Sequence, residues 1–411
     1  MNATSNVLIT GCNLVDGVTE RARPNTDLLI ADGRIVLAGP PDVVRAAGPA
    51  DHATIDLHGA FVTAGLLNMH THFSLSLPGP GGDAVRALTS HALALYMASG
   101  ARRTLLGGVT TVRCVAEKEH ADFALREAID TGLAAGPRIF TAGRALVCTG
   151  GHGHDGTDTL ECDGADGFRR GVRAQVSAGA DLIKIMISGG IAGEHEKIST
   201  PQLTEDEIRA AIDTAHSWGR RVTAHAGPAP IIKTAVDLGL DCVEHGYQLT
   251  PDVAGTMAQR RTHLVPTLIV TRCKEFFDSL GVPEWMQRRS LGAGERHVQS
   301  YRMALEAGVP VMLGSDMPPF WSIDGTTATI RELEYMAEFG LPPIKALRAA
   351  TIVPATWLGV GDEIGTVQPG KRADLIAMDE DPTENISALR SLRWVMKGGA
   401  VVRDDRAGVT G

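Results

Sequence analysis

Short apolar runs alternate with alanine-rich, helix-forming stretches from about Phe61 to the last quarter of the chain. This alternation is typical of a parallel sheet covered by helices, because each parallel connection needs a crossover segment. Eight such units over roughly 300 residues predict an α/β fold, a (β/α)8 TIM barrel with insertions. The predicted barrel strands are 62–69, 110–115, 138–142, 182–188, 221–226, 241–244, 264–270 and 311–314.

The two ends of the chain resemble each other and differ from the middle. Residues 1–60 contain short apolar runs separated by turns, with the hairpin signal Asp32-Gly33 between two of them. Residues 362–411 return to the same short-strand pattern after the last helices. We therefore expect a small β-sandwich domain built from 1–60 and 362–411, and a barrel over 61–361.

Two histidines one residue apart, His70 and His72, close the first predicted barrel strand. Alternate side chains of a strand share a face, so both imidazoles point to the same side. Core packing does not call for two polar rings there, because each nitrogen of a buried imidazole needs a partner. Since neutral imidazoles are common metal ligands, the pair indicates a metal site.

Further ligand-type residues lie at other predicted strand ends. His225 and His245 end strands five and six, Asp316 follows strand eight, and Lys184 lies in the apolar fourth strand. Alone, such a histidine is commonly a core or surface residue, and such an aspartate is commonly a helix N-cap. A lysine among apolar residues is costly to bury unless it is paired or neutralised. The C-terminal strand ends of a barrel form its active face, so together these residues predict a metal centre there.

The composition argues against several other classes of protein. The formal net charge is −9 and the basic residues are scattered, which disfavours nucleic-acid binding. No apolar run approaches the roughly 18 residues of a membrane span, and residues 1–6 lack the features of a secretion signal. The six cysteines are dispersed without C-x-x-C spacing, as in proteins of a reducing compartment. We expect a cytoplasmic protein with a small-molecule substrate and neither a nucleic-acid nor a membrane partner.

In this order of ligands the chain resembles the amidohydrolase superfamily, in particular the binuclear-metal branch with imidazolonepropionase and the prolidase-like dipeptidases. The resemblance also rests on residues 188–190, 265–268 and 365–375, and it covers nearly the whole chain. It implies a metal-dependent hydrolase that acts on carbon–nitrogen bonds. It also allows a homo-oligomer, which no residue pattern here specifies.

The resemblance implies a ligand set for two divalent metal ions: His70, His72, Lys184, His225, His245 and Asp316. The first two histidines and the aspartate would hold the more buried metal, and the other two histidines the more exposed one. Lys184 would be N6-carboxylysine, whose CO2-derived carbamate bridges both ions. Zinc is the expected metal, although manganese or cobalt also suits these ligands.

The implied reaction is cleavage of an amide bond in an N-acyl amino acid, a dipeptide or an aryl amide. A metal-bridging hydroxide would attack the carbonyl, with Asp316 as general base and then general acid. His152, in a glycine-rich turn after strand three, would donate a hydrogen bond to the substrate. Arg113 and Tyr247 either orient a substrate carboxylate or carbonyl, or serve only in packing.

Two departures from the resembling group concern the substrate. Cys114 stands where an acidic residue is frequent, and Gly227 and Pro228 stand where dipeptidases often have a carboxylate-binding tyrosine. Three alternatives stay open: a mononuclear deaminase of an aminated heterocycle, a cyclic-amide hydrolase of the imidazolonepropionase type, and a non-catalytic scaffold. Lys184 argues against the deaminase, and the complete ligand set argues against the scaffold.

Overall fold

The computed structural model describes residues 6–49, 51–154 and 156–406. It divides the chain into two compact units. One unit consists of Met1–Leu67, Arg103–Thr111 and Met336–Gly411, and the other consists of Asn68–Arg102 and Val112–Tyr335.

The first unit contains an eight-stranded sheet to which both ends of the chain contribute. Its strands are Val7–Leu14, Arg23–Ala31, Arg34–Gly39, Ala53–Asp56, Phe61–Ala64, Leu375–Met378, Trp394–Lys397 and Ala400–Asp404. Phe61–Ala64 pairs with Leu375–Met378 in antiparallel register, so the predicted strand 62–69 is two strands, the first of which belongs to this sheet. The sandwich and the boundaries 1–60, 61–361 and 362–411 stay predictions.

The second unit contains a six-stranded sheet in which all recorded pairings are parallel. In spatial order its strands are Thr159–Glu161, Ala145–Val147, Leu182–Met186, Arg221–Pro228, Cys242–Gln248 and His263–Val265. A three-stranded sheet holds Leu66–Thr71, Val109–Cys114 and Arg138–Thr141, and a hairpin holds Ser322–Ile323 and Thr326–Thr327. Parallel pairing brings the C-terminal strand ends, and therefore the polar residues that end them, to the same edge.

The last predicted strand, 311–314, is represented by backbone hydrogen bonds instead of a regular strand. Val311 forms a parallel bridge with Leu264, and the Met69 amide donates to the Leu313 carbonyl at 2.8 Å. The predicted strand 264–270 ends early at Val265, and a 3-10 helix, Leu268–Thr271, follows it. A closed eight-stranded barrel stays a prediction, because the paired strands form separate sheets.

The helices connect these strands, and amphipathic sequences specify them. In Glu205–Ser217, Ile208 and Ile212 face the core, and the Thr204 amide donates to Glu207 Oε2 at 2.8 Å at the N-terminus. The α-helices are Pro41–Ala47, Pro80–Arg86, Ser90–Leu106, Ala121–Asp130, Gly164–Ala178, Glu205–Ser217, Ala229–Asp237, Pro251–Arg260, Lys274–Leu280, Glu284–Gly292, Gly294–Glu306, Ala328–Glu338, Pro343–Ala349 and Ile352–Trp357. Two further 3-10 helices are Lys118–His120 and Ile386–Ser391. Among the described residues, no helix has both the length and the apolar character needed to cross a membrane.

Candidate metal centre

His70 and His72 project from the end of strand Leu66–Thr71, and both are buried. His70 Nδ1 lies 2.7 Å from Glu244 Oε2, and His72 Nδ1 lies 2.8 Å from the Ala116 carbonyl oxygen. A carboxylate and a carbonyl can only accept, so each Nδ1 carries a proton. The two Nε2 atoms therefore face the centre of the site.

Both of these Nε2 atoms lie close to the same carboxylate oxygen of Asp316. Its Oδ1 lies 3.0 Å from His70 Nε2 and 3.1 Å from His72 Nε2, and its side chain is 20% exposed. The Asp316 amide donates to the His70 carbonyl at 2.8 Å, which fixes the carboxylate beside the strand end. Burial by itself raises the pKa of Asp316, but the imidazoles of His70, His72 and His245 outweigh it and hold that pKa well below its usual range.

His225 and His245 end neighbouring parallel strands, and their ring centroids lie 4.6 Å apart. His225 Nε2 donates to the Gly189 carbonyl at 3.1 Å, which leaves Nδ1 for another partner. His245 Nδ1 lies 2.7 Å from Thr267 Oγ1. Burial, the largest cause, and neighbouring cationic groups hold the pKa of both imidazoles well below the usual value. Both rings are therefore neutral, the form that binds a metal.

The backbone at His245 explains how its ring enters the site. In the sheet register, Glu244 lies beside His225, whereas His245 lies beside Ala226 on the opposite face. His245 has φ 67°, in the left-handed region, so the alternation of the strand is broken at this residue. Glu244 and His245 can then both contribute to the same centre. Thr267 (φ 52°), after strand His263–Val265, and Asp316 (φ 53°), after residues 311–314, have the same unusual conformation.

Lys184 lies in the middle of strand Leu182–Met186 and its side chain is 1% exposed. In register it lies beside Thr223, two residues before His225, and so it shares the face of that histidine. Burial, the largest cause, lowers the pKa of Lys184 to about 8. This shift raises the neutral fraction of the amine near neutral pH above that of an ordinary lysine.

Arg113 and Tyr247 are both fully enclosed. Arg113 Nε donates to the Met69 carbonyl at 2.5 Å, and its Nη2 donates to Glu244 Oε1 at 2.5 Å. The Tyr247 ring stacks on the His245 ring, with centroids 5.1 Å apart and planes 2° apart. Of the two roles that the sequence left open for these residues, the contacts favour packing and orientation of the histidines over substrate contact.

His152 lies on the other side of His225, where the two rings stack with centroids 4.2 Å apart. Its Nδ1 lies 2.5 Å from Glu196 Oε1, and its side chain is 14% exposed. His152 is thus the predicted substrate-contacting residue that retains access to solvent beside the ligand-type histidines.

Three carboxylates of this region were not singled out from the sequence. Glu244 accepts from His70 and Arg113, Glu196 accepts from His152, and Glu117 accepts from the amides of Phe73 and Ser74 directly after His72. The sequence does give a sign of Glu117 and Glu244, because each follows an apolar run that is predicted as a strand, where an unpaired acidic side chain would be costly to bury. Their partners are distant in sequence and could not be read from it.

The arrangement of the two Nε2 atoms and the Asp316 oxygen requires a positive charge between them. Both Nε2 atoms converge on a carboxylate oxygen while both Nδ1 protons point outward, so the contacts are repulsive unless a proton or a cation lies between them. Burial by itself lowers the pKa of His72, but the hydrogen bond to Asp316 outweighs it and raises that pKa to about 9. The ligand atoms of His70, His245 and Asp316 lie within 4.8 Å of one another. With a divalent metal such as zinc in place of that proton, neutral imidazoles and a carboxylate in this arrangement fit the ion.

The chain is similar to known proteins over nearly its full length. A sequence profile described as "Amidohydrolase family" matches residues 61–402. The ochratoxinase of Aspergillus niger is 28% identical, over 97% of this chain and 87% of that protein. The imidazolonepropionase of Rubrobacter xylanophilus is 26% identical, over 86% of this chain and 84% of that protein. A solved structure of a Xaa-Pro dipeptidase with methionine bound in its active site is 29% identical with a TM-score of 0.86, over 97% and 100% of the respective chains.

Proposed function

The chain belongs to the amidohydrolase family, and from this premise we propose that it is a binuclear metal-dependent hydrolase of an amide bond in a small molecule. The family predicted from the sequence is thereby confirmed, and the protein is a hydrolase that acts on carbon–nitrogen bonds. Its α/β fold matches solved amidohydrolase structures, which belong to the TIM-barrel superfamily.

The proposed metal ligands are the six residues His70, His72, Lys184, His225, His245 and Asp316. The observation that carries the proposal is the convergence of His70 Nε2 and His72 Nε2 on Asp316 Oδ1, at 3.0 and 3.1 Å. Carboxylation of Lys184 is supported by its burial and its lowered pKa of about 8, because only the neutral amine reacts with CO2. When bound, two divalent ions, for which we propose zinc, supply an activated water and polarise the substrate carbonyl.

We assign the proton transfer to Asp316. Its Oδ1 is occupied by the two imidazoles, whereas Oδ2 lies 3.9 Å from His245 Nδ1, beyond hydrogen-bonding distance. Oδ2 is therefore the oxygen that accepts the proton of the attacking water and returns it to the leaving nitrogen. Its low pKa keeps the carboxylate ionised at neutral pH.

We assign recognition of the substrate carbonyl to His152, which stacks on His225 and retains access to solvent. The proposed substrate class is an N-acyl amino acid, a dipeptide or an aryl amide. A relative named for ochratoxin and one named for Xaa-Pro dipeptides support this range. A carboxylate-binding side chain is excluded at Gly227, where a Cβ atom would lie 2.3 Å from the Ile198 carbonyl oxygen, so a plain dipeptide has less support.

The test begins with metal analysis of the purified protein and a screen of the three amide classes. Asp316→Asn should retain most of the bound metal and lower kcat by about 10²–10⁴-fold, the usual contribution of a general acid–base group. Asp324→Asn is a matched control, since Asp324 also has a left-handed φ, of 50°, and forms a surface ion pair with Arg331. The control should retain full activity.

Three results would contradict this proposal. Full turnover of Asp316→Asn would remove the assigned proton acceptor. One metal per chain with release of ammonia from an aminated ring would favour the deaminase. An intact-mass measurement under native conditions that shows no additional CO2 on Lys184 would remove the bridging carbamate.

A further inference from the structure

The hydrogen bond between His152 and Glu196 joins a substrate-side residue to a loop that follows another strand. Glu196 lies in residues 189–196, after strand Leu182–Met186, and its side chain is only 8% exposed. The 2.5 Å contact with Nδ1 requires a proton on that nitrogen, because a carboxylate only accepts. Nε2 is therefore the ring nitrogen of His152 that is left for the substrate.

Glu196 is itself held by several donors. Gln202 Nε2 donates to its Oε2 at 2.7 Å, and the Gly193 amide donates to its Oε1 at 3.1 Å. The Gln202 side chain also accepts from the His152 amide at 3.0 Å. Burial by itself raises the pKa of Glu196, but the hydrogen bond from His152 outweighs it and lowers that pKa to about 2. The carboxylate is consequently ionised and fixed in place.

The His152 ring is also confined from its other sides. It stacks on His225 with planes 21° apart, and Gly190 leaves the space that the ring fills. A Cβ atom at Gly190 would lie 2.4 Å from His152 Cε1. The loop thus provides both a glycine that admits the ring and a carboxylate that fixes its rotation.

We propose that Glu196 is a positioning residue that acts through His152, holding its Nδ1 proton so that Nε2 faces the substrate carbonyl. This inference rests on the proposed function, since it assigns His152 to the amide substrate. Donation to the carbonyl oxygen requires a proton on Nε2 as well, and the Glu196 carboxylate beside Nδ1 balances the positive charge of the ring as negative charge develops on that oxygen. Because this benefit grows toward the transition state, removal of Glu196 lowers kcat more than it changes KM.

The kinetic test compares Glu196→Ala and Glu196→Gln with Glu194→Gln, an exposed residue of the same loop. Glu196→Ala should lower kcat about 10–100-fold, as loss of an orienting carboxylate does, with metal content and KM within about twofold of the wild type. The kcat of Glu196→Gln should lie between those of Glu196→Ala and the wild type, since an amide oxygen still accepts from Nδ1. Glu194→Gln should be unchanged.

A double-mutant cycle with His152→Asn separates positioning from a general structural role. If Glu196 acts through His152, Glu196→Ala should not lower kcat further in the His152→Asn background. An equal further loss in that background would overturn the proposal, as would a Glu196→Ala enzyme with wild-type kcat.

A second readout does not depend on activity. In the NMR spectrum of ¹⁵N-histidine-labelled, metal-loaded protein, the Nδ1–H signal of His152 should be protected from exchange with water. This signal is assigned to His152 because it is absent from the spectrum of His152→Asn. Glu196→Ala should lose this signal, and Glu194→Gln should retain it. Persistence of the signal in Glu196→Ala overturns the proposal. If no amide is hydrolysed, the proposed function fails, whereas this measurement still decides the role of Glu196.

Discussion

Replacement of Glu244 by glutamine tests whether a buried carboxylate organises the proposed centre. Glu244 is fully buried and accepts from His70 Nδ1 at 2.7 Å, from Arg113 Nη2 at 2.5 Å and from the Thr223 hydroxyl. Glutamine has nearly the same shape, but its amide nitrogen cannot accept. One of these donors therefore loses its partner, and the Arg113 guanidinium loses its buried counter-charge.

The expected loss of stability follows from the burial of Glu244 and Arg113, whose side chains are both 0% exposed. Removal of one partner from a buried ion pair costs about 3–5 kcal/mol, because an uncompensated charge is left behind. A domain has a free energy of unfolding of about 5–15 kcal/mol, so this loss is a large fraction of the total. We expect Glu244→Gln to lower the free energy of unfolding by about 3–5 kcal/mol.

The assay is urea unfolding followed by circular dichroism, in the presence of a chelator so that metal binding does not contribute. Asp166→Asn is the control, because Asp166 pairs with Arg169 on the surface and its side chain is 83% exposed. The control should change the free energy of unfolding by no more than about 1 kcal/mol. A loss in Glu244→Gln as small as that of the control would refute the reasoning.

Two further predictions concern Thr267, beside the centre, and His263, at the start of strand His263–Val265. Thr267→Val keeps a β-branched side chain but removes the oxygen that lies 2.7 Å from His245 Nδ1. Zinc affinity, measured by competition with a chelator, should therefore fall about 10–100-fold. Unchanged affinity would show that Thr267 does not orient His245. Burial lowers the pKa of His263 to about 4, so the unfolded chain, with an imidazole pKa near 6.5, binds the proton more readily. The stability that neutral His263 contributes is therefore present above about pH 6.5 and is lost as the pH falls toward its folded pKa, by at most about 1.4 kcal/mol per pH unit. His263→Gln should flatten this decline in urea titrations from pH 7 to 4, and identical wild-type and variant profiles would contradict the assignment.

The part of the site that period-two alternation controls was predictable from the sequence. His70 and His72 were expected on one face of a strand, and their Nε2 atoms do meet at Asp316 Oδ1. Lys184 and His225 were expected at one edge, and the sheet register does place them on one face. For the histidine pair the spacing within one strand was sufficient, whereas the shared face of Lys184 and His225 also required the register between two strands.

The contacts that depend on distant partners were not predictable. Glu244 pairs with Arg113 across 131 residues of chain, and Glu196 reaches His152 across 44. Period and composition give no information on such pairs, because they depend on how strands and loops are placed in three dimensions. Residues 311–314 were predicted to form a regular strand, but backbone hydrogen bonds hold them without regular strand pairing. This outcome also depends on how distant segments are placed in three dimensions.

Alternation alone would have placed only one of Glu244 and His245 in the site. The left-handed φ of 67° at His245 removes that restriction, so that one strand end supplies both the carboxylate behind His70 and a ligand-type imidazole. Thr267 and Asp316 repeat this conformation after the next strands, and Thr267 Oγ1 contacts His245 directly. A left-handed non-glycine residue costs of order 1–3 kcal/mol, and it persists only where the surrounding contacts over-determine it. Successive strand ends therefore store backbone strain at the positions where side chains must leave the regular pattern to reach a common centre.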